Sequence, residues 1–165
     1  MGALFFDTSA LVKRYVTESG SGWVRTQCRS EAGHTIIISQ ATLVEVVATF
    51  CRKARELNAN QLINIDDRDT YIALFRQDVR KQYNVARVTT SIYTLAGDLC
   101  RLHRLRAYDA VQLACALETR NKLAALEISA LTFVSADTEL LNMAFAEGLS
   151  VENPNLLSDD NSSVK

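Results

Sequence analysis

Four short apolar runs separated by long segments of helical patterning constrain the fold more than any other feature of this chain. They are ALFF at 3–6, TIIIS at 35–39, LTFVS at 131–135 and LSVEN at 149–153. Runs without polar alternation suit strands buried on both faces, as in a parallel sheet covered by helices on each side. Parallel neighbours need long crossover connections, and the intervening segments are long enough to supply them. The expectation is an α/β protein, a three-layer α/β/α domain around a short central parallel sheet of four to five strands.

The helices follow from pattern and punctuation. One is expected through TSALVKRYV after Asp7, with SGSG at 19–22 as a break before WVRTQCRSEA. A very apolar helix runs through ATLVEVVATFCRKAREL and stops near Asn58. Residues 66–83 and 89–105 read as two more, the second opened by a Thr/Ser cluster suited to capping. No strand is evident between them, so this region reads as a helical insertion. LRAYDAVQLACAL and TELLNMAFAEG carry the last two helices, the latter ending at Gly148.

At 165 residues the chain has the length of one domain, taken as 1–155 with a polar, frayed tail at 156–165. Hydrophobic residues make up 48% and charged residues 22%, which excludes a disordered or fibrous chain. A formal net charge of -1 excludes a strongly basic protein holding nucleic acid by bulk electrostatics, while a local basic rim stays open. Cys28, Cys51, Cys100 and Cys115 are scattered without zinc-ligand spacing and read as buried, reduced thiols. No apolar run approaches the ~20 residues of a membrane span, and MGALFFDTSA has no signal-peptide pattern. A cytoplasmic protein without membrane contact is expected.

Four carboxylates stand in apolar company. Asp7 follows ALFF and Asp137 follows LTFVSA, so both lie at the carboxyl ends of strands, where ligands of open parallel sheets collect. Each also suits a helix N-cap. Glu45 lies among Leu43, Val44, Val46, Val47 and Phe50, and it needs either a cation or an arginine such as Arg52 or Arg55. Asp109 borders the stripe Ala110, Leu113, Ala114 and Leu117 in a first helical turn, a place that also suits an exposed acid. Brought together, such acids repel and raise one another's pKa unless a divalent cation compensates them. An all-oxygen ligand set favours Mg2+ or Mn2+. Such an ion polarises a phosphoryl oxygen and acidifies water, which points to phosphodiester hydrolysis.

The segments FFDTSALVKRY, SQATLVEVVATF, LRAYDAVQLACAL and FVSADTELLNMAFAEGL, in this order over residues 3–153, resemble the PIN-domain nucleases, in particular VapC-type toxins of toxin–antitoxin pairs. The resemblance implies a PIN-like fold, a catalytic Mg2+ or Mn2+ site, endoribonuclease activity on RNA, homodimers and neutralisation by a small cognate antitoxin. Matched position by position, Asp7, Glu45, Asp109 and Asp137 take the catalytic and metal-binding places. The last of these varies across the family in its contact with metal. Ser9 matches the small polar position after the first acid, and Ser135 stands where threonine is frequent.

Lys13, Arg14, Arg101, Arg104 and Arg106 flank the acids in sequence. Lys13, Arg14, Arg104 and Arg106, together with Ser9 and Ser135, are candidate substrate-binding residues, with ordinary solvated faces as the competing reading of the cations. Glu118 and Glu139 read as solvent-facing, and His34 and His103 have no accompanying nucleophile motif. Two other functions remain in view. A haloacid-dehalogenase-like phosphatase would need an acid at position 9, where Ser9 stands, and a receiver domain would need an acid pair at the end of the first strand. A non-catalytic PIN-like binding or scaffold module would have no use for all four acids.

Overall fold

Alternate residues of the central strands serve two separate cores, as the period of two requires when a sheet is covered on both sides. The computed structural model describes residues 2–56, 63–128 and 130–157. Strand β1 (Ala3–Phe6) leads through α1 (Thr8–Leu11), a 3-10 turn at Val12–Arg14 and α2 (Ser21–Gln27) to β2 (Thr35–Ser39). Helices α3 (Thr42–Arg55) and α4 (Ile65–Lys81) carry the chain to β3 (Tyr83–Ala86). Helices α5 (Thr90–Leu102) and α6 (Ala107–Ala125) carry it to β4 (Leu131–Val134), and α7 (Thr138–Ala146) leads to β5 (Ser150–Glu152).

The strands form one parallel sheet in the order β3-β2-β1-β4-β5. Ala3 and Phe5 join Ile37, Leu131 and Phe133 on one face, where Ile92 and Leu99 of α5, Leu113 and Leu117 of α6 and Leu140 of α7 complete the core. Leu4 and Phe6 join Ile36, Ile38 and Val134 on the other, under Leu11, Val24, Phe50 and Phe75 of α1 to α4. Phe5 stacks on Phe133 with centroids 5.9 Å apart, and both are fully buried. Burial of each such ring stabilises the fold by about 1.5–3 kcal/mol. The three-layer α/β/α architecture is the expected one, with five strands.

The region read as a helical insertion contains the fifth strand. β3 pairs in parallel with β2, placing Ile37 opposite Asn84 and Ile38 opposite Val85. The preceding helix ends at Lys81, and its start carries a reciprocal cap between Asn64 and Asp67. Four residues at a sheet edge, YNVA, include an exposed Asn84 and never form an apolar run, so the pattern that reveals a buried strand is absent. The first helix is also shorter than expected: α1 tightens into the 3-10 turn after Leu11. α3 ends at Arg55, and Asn58 lies outside the described residues, as do residues 158–165 of the expected tail.

Gly20 has φ of 80°, and a Cβ there would lie 2.2 Å from the carbonyl oxygen of Pro154. Only glycine permits that contact between the start of α2 and the 3-10 turn at Pro154–Leu156. The cysteines carry no disulfide; Cys28 and Cys115 are buried as expected, Cys51 is half-buried and Cys100 is exposed. Among the described residues no helix is long and apolar enough to cross a membrane.

Candidate active site

The central pair β1 and β4 run side by side, so the residues that leave their carboxyl ends are neighbours. The ladder extends one step beyond β1, where the Asp7 N–H donates to the Val134 carbonyl at 2.9 Å. Asp7 is the N-cap of α1, and Asp137 is the N-cap of α7. Capping therefore holds for both residues, and it orients them without removing them from the cleft. Asp137 accepts from the Glu139 and Leu140 N–H groups through Oδ1.

Asp7 is 5% exposed, and its Oδ2 accepts from the Ser9 N–H at 3.1 Å, the Ser9 hydroxyl at 2.6 Å and the Ser135 hydroxyl at 3.1 Å. Burial pushes its carboxyl above the ordinary value despite these donors. Glu45, half-buried on α3, accepts at Oε2 from the Gln112 amide at 2.6 Å and the Thr8 hydroxyl at 2.9 Å. Desolvation raises its pKa first, and the charges of Asp7 and Asp109 raise it further. Asp109, half-buried in the first turn of α6, is raised by burial and then by Asp7 and Asp137, while Arg106 opposes the shift.

All four acids line one open cleft of about 360 Å³, together with Ser9, Lys13, Arg52, Lys53 and Arg106. Neither Arg52 nor Arg55 neutralises Glu45; among the described residues, none of the four acids forms an ion pair. Nor do any three His, Cys, Asp or Glu side chains of the described residues stand close enough to cage a metal ion as they are. Glu45 is engaged by Gln112, and Asp137 by the backbone of α7.

The flanking residues divide. Ser135 has no exposure, so its hydroxyl serves Asp7 and is out of reach of a substrate. Ser9 lines the cleft but accepts from the Ala136 N–H while donating to Asp7. Lys13 reaches the cleft with its ammonium held by Glu18 at 3.4 Å and the Ser19 carbonyl at 3.0 Å. Arg14 is not brought to the cleft: its guanidinium pairs with Asp78 at 3.2 Å and donates to the Tyr83 hydroxyl at 2.7 Å, tying the first helical segment to α4 and β3. Arg106 borders the acids, Arg104 lines an adjoining groove, and Arg101 pairs with Asp98 at the surface. Glu139 is exposed, Glu118 pairs with Lys122, His34 accepts from the Gly2 N–H, and His103 pairs with Glu147.

Sequence reasoning overlooked Gln112, Thr8, Thr42 and Glu18. Gln112 has no exposure and also donates to Thr42 Oγ1 at 2.9 Å. A signal was present, since Gln112 follows Asp109 by three residues on an otherwise apolar helix and so shares its face. Glu18 bridges Lys13 and Lys53 from a segment between α1 and α2, where no periodicity marks it.

A family model for the PIN domain matches residues 4–146. The chain belongs to the PIN domain family. This PIN domain also superposes on a chain of the crystal structure of VapBC2 from Rickettsia felis bound to a DNA fragment from their promoter, with a TM-score of 0.58. Identity is 12%, and the alignment covers 92% of this chain and 98% of that one, a likeness of fold. No curated protein sequence gives a significant match to this PIN domain.

Proposed function

We propose that this PIN domain is a metal-dependent endoribonuclease, the toxin of a type II toxin–antitoxin pair. The observation that carries the reading is the convergence of Asp7, Glu45, Asp109 and Asp137 on one cleft with, among the described residues, no arginine or lysine ion-paired to any of them. Like charges so placed raise one another's pKa, and a divalent cation relieves that repulsion. The donor set is oxygen only, which fits Mg2+ or Mn2+. Asp7, Glu45 and Asp109 would hold the ion, assisted by Asp137. As the described residues form no closed cage, the reading requires the carboxylates to draw together when an ion enters.

When bound, such an ion supplies Lewis-acid activation of water and of the phosphoryl group. The chain's own residues supply position. Ser9 and Ser135 hold Asp7 rigid at the end of β1, so this acid needs no reorganisation to serve as the fixed point of the site. Gln112 and Thr8 hold Glu45 from the buried side. Arg106, beside Asp109, offers a guanidinium for a backbone phosphate.

The resemblance to VapC-type toxins and the structural likeness to a VapBC2 chain support a small antitoxin partner. Exposed Val44 on α3, Tyr93 on α5 and Tyr108 on α6 support a homodimer, for which an apolar groove lined by Ala41, Tyr93, Ala96 and Val111 offers a surface. A cytoplasmic location accompanies this reading. Ser9 at the position where a haloacid-dehalogenase-like phosphatase needs a second acid, and membership of the PIN family, argue against that alternative. A non-catalytic module remains the rival outcome of the test.

Incubating total RNA with the pure chain and Mn2+ tests the reading, with Asp7→Asn and EDTA as controls. Cleavage that falls at least about 100-fold in Asp7→Asn is expected, since loss of a metal-orienting partner alone costs 10–100-fold. Equal cleavage by that variant, or uncut RNA with the wild type, defeats it.

A further inference from the structure

A second cleft joins the acidic one along a shared wall of Arg106, Asp109 and Asp137. Its volume is about 610 Å³, within the range of ligand-binding pockets. Leu105, Leu140 and Met143 give it an apolar lining, and besides the shared residues its polar lining consists of the exposed acid Glu139 together with Arg104 and Asn142. Arg104 and Asn142 are exposed, and among the described residues neither side chain makes a hydrogen bond or ion pair. Lys13 and Lys53, on the acidic side, are by contrast already held by Glu18. Arg104 and Asn142 therefore bring uncommitted donors beside the acids, as Arg52 does within the acidic cleft, and they do so in a groove wide enough for a nucleotide.

Single-stranded RNA is read through unstacked bases that lie against apolar or guanidinium surfaces and bond through their edges. A side-chain amide presents a donor and an acceptor together, which matches the N6 amine and N7 of adenine. We infer that the groove between the start of α6 and α7 is a base-reading subsite for the nucleotide next to the scissile phosphate, with Asn142 selecting adenine and Arg104 holding the adjoining phosphate. The inference rests on the nuclease reading for its substrate, and it adds the residue that sets sequence preference. Asn142 lies about one and a half turns after the α7 N-cap, so the helix that Asp137 caps also fixes the reading group relative to the acids.

The test binds a randomised single-stranded RNA pool to Asp7→Asn and, as a second silent form, to wild-type chain in EDTA; the bound RNA is recovered and sequenced. Enrichment of adenine at one position on the order of tenfold is expected. Adding Asn142→Ala to Asp7→Asn removes that enrichment. Adding Arg104→Ala instead weakens all sequences alike and lowers the salt dependence of binding. Enrichment that survives Asn142→Ala, or a parent chain that enriches no base, overturns the subsite and leaves the groove to a protein partner. Cleavage by the wild type in Mn2+ is scored separately: failure of the nuclease reading appears as uncut RNA, and failure of the subsite as an enrichment profile indifferent to Asn142.

Discussion

The Gln112 amide donates a 2.6 Å hydrogen bond to Glu45 Oε2 from a position with no solvent exposure. Two helices of different layers are thereby joined at a carboxylate, and the amide decides where that carboxylate points. Gln112→Leu keeps the volume and removes the donor. Under the proposed nuclease reading, the Mn2+ concentration giving half-maximal cleavage then rises about 10–100-fold, the cost typical of removing an outer partner of a metal ligand. Stability falls by about 1–3 kcal/mol because Glu45 and Thr42 lose a buried partner. A metal titration of cleavage beside a urea melt measures both, and an unchanged titration removes Gln112 from the site.

Asp7, Glu45 and Asp109 all ionise above their ordinary values, burial being the largest cause for each. Between the ordinary carboxylate value near pH 4 and the raised values, the folded chain binds more protons than the unfolded one. Stability therefore falls as pH rises through that window, and it is fully retained below the ordinary value. In EDTA, the contribution of these three acids favours a higher melting temperature at about pH 5 than at about pH 7. Asp7→Asn should flatten this dependence, and millimolar Mn2+ should raise the melting temperature most at the higher pH. Thermal melts of the two chains across pH decide the matter, because a difference between them that ignores pH contradicts the assignment.

Gly20 meets the Pro154 carbonyl where a Cβ would lie 2.2 Å away, and its φ is positive. Gly20→Ala must both adopt a left-handed conformation and push the turn at Pro154–Leu156 aside. The cost is at least about 2 kcal/mol, combining backbone strain with overpacking. Urea denaturation reads it directly, and a variant as stable as the wild type would falsify the close approach.

The buried strands were legible because β1, β2 and β4 are apolar on both faces, and the acids were legible because each interrupts such a run or a helix stripe. β3 was not, since an edge strand needs an apolar pattern on fewer positions and Asn84 breaks the run. The same limit applies to the flanking cations. Position in sequence set Arg14 beside Asp7, but the 3-10 turn directs its guanidinium to Asp78 and Tyr83. Ser9 and Ser135 were found by resemblance, while their service to Asp7 depends on β1 and β4 being neighbours, which no local pattern encodes.

Ser135 reaches Asp7 across 128 residues of chain. Strand β1 lies at the middle of the sheet, and its partner β4 is synthesised long after it, with β2 and β3 in between. A nascent chain that stops short of β4 carries Asp7, Glu45 and Asp109 but lacks the scaffold that fixes the first of them. Under the toxin reading, translation itself then delays the hazard: the blade is assembled only after β4 has been made.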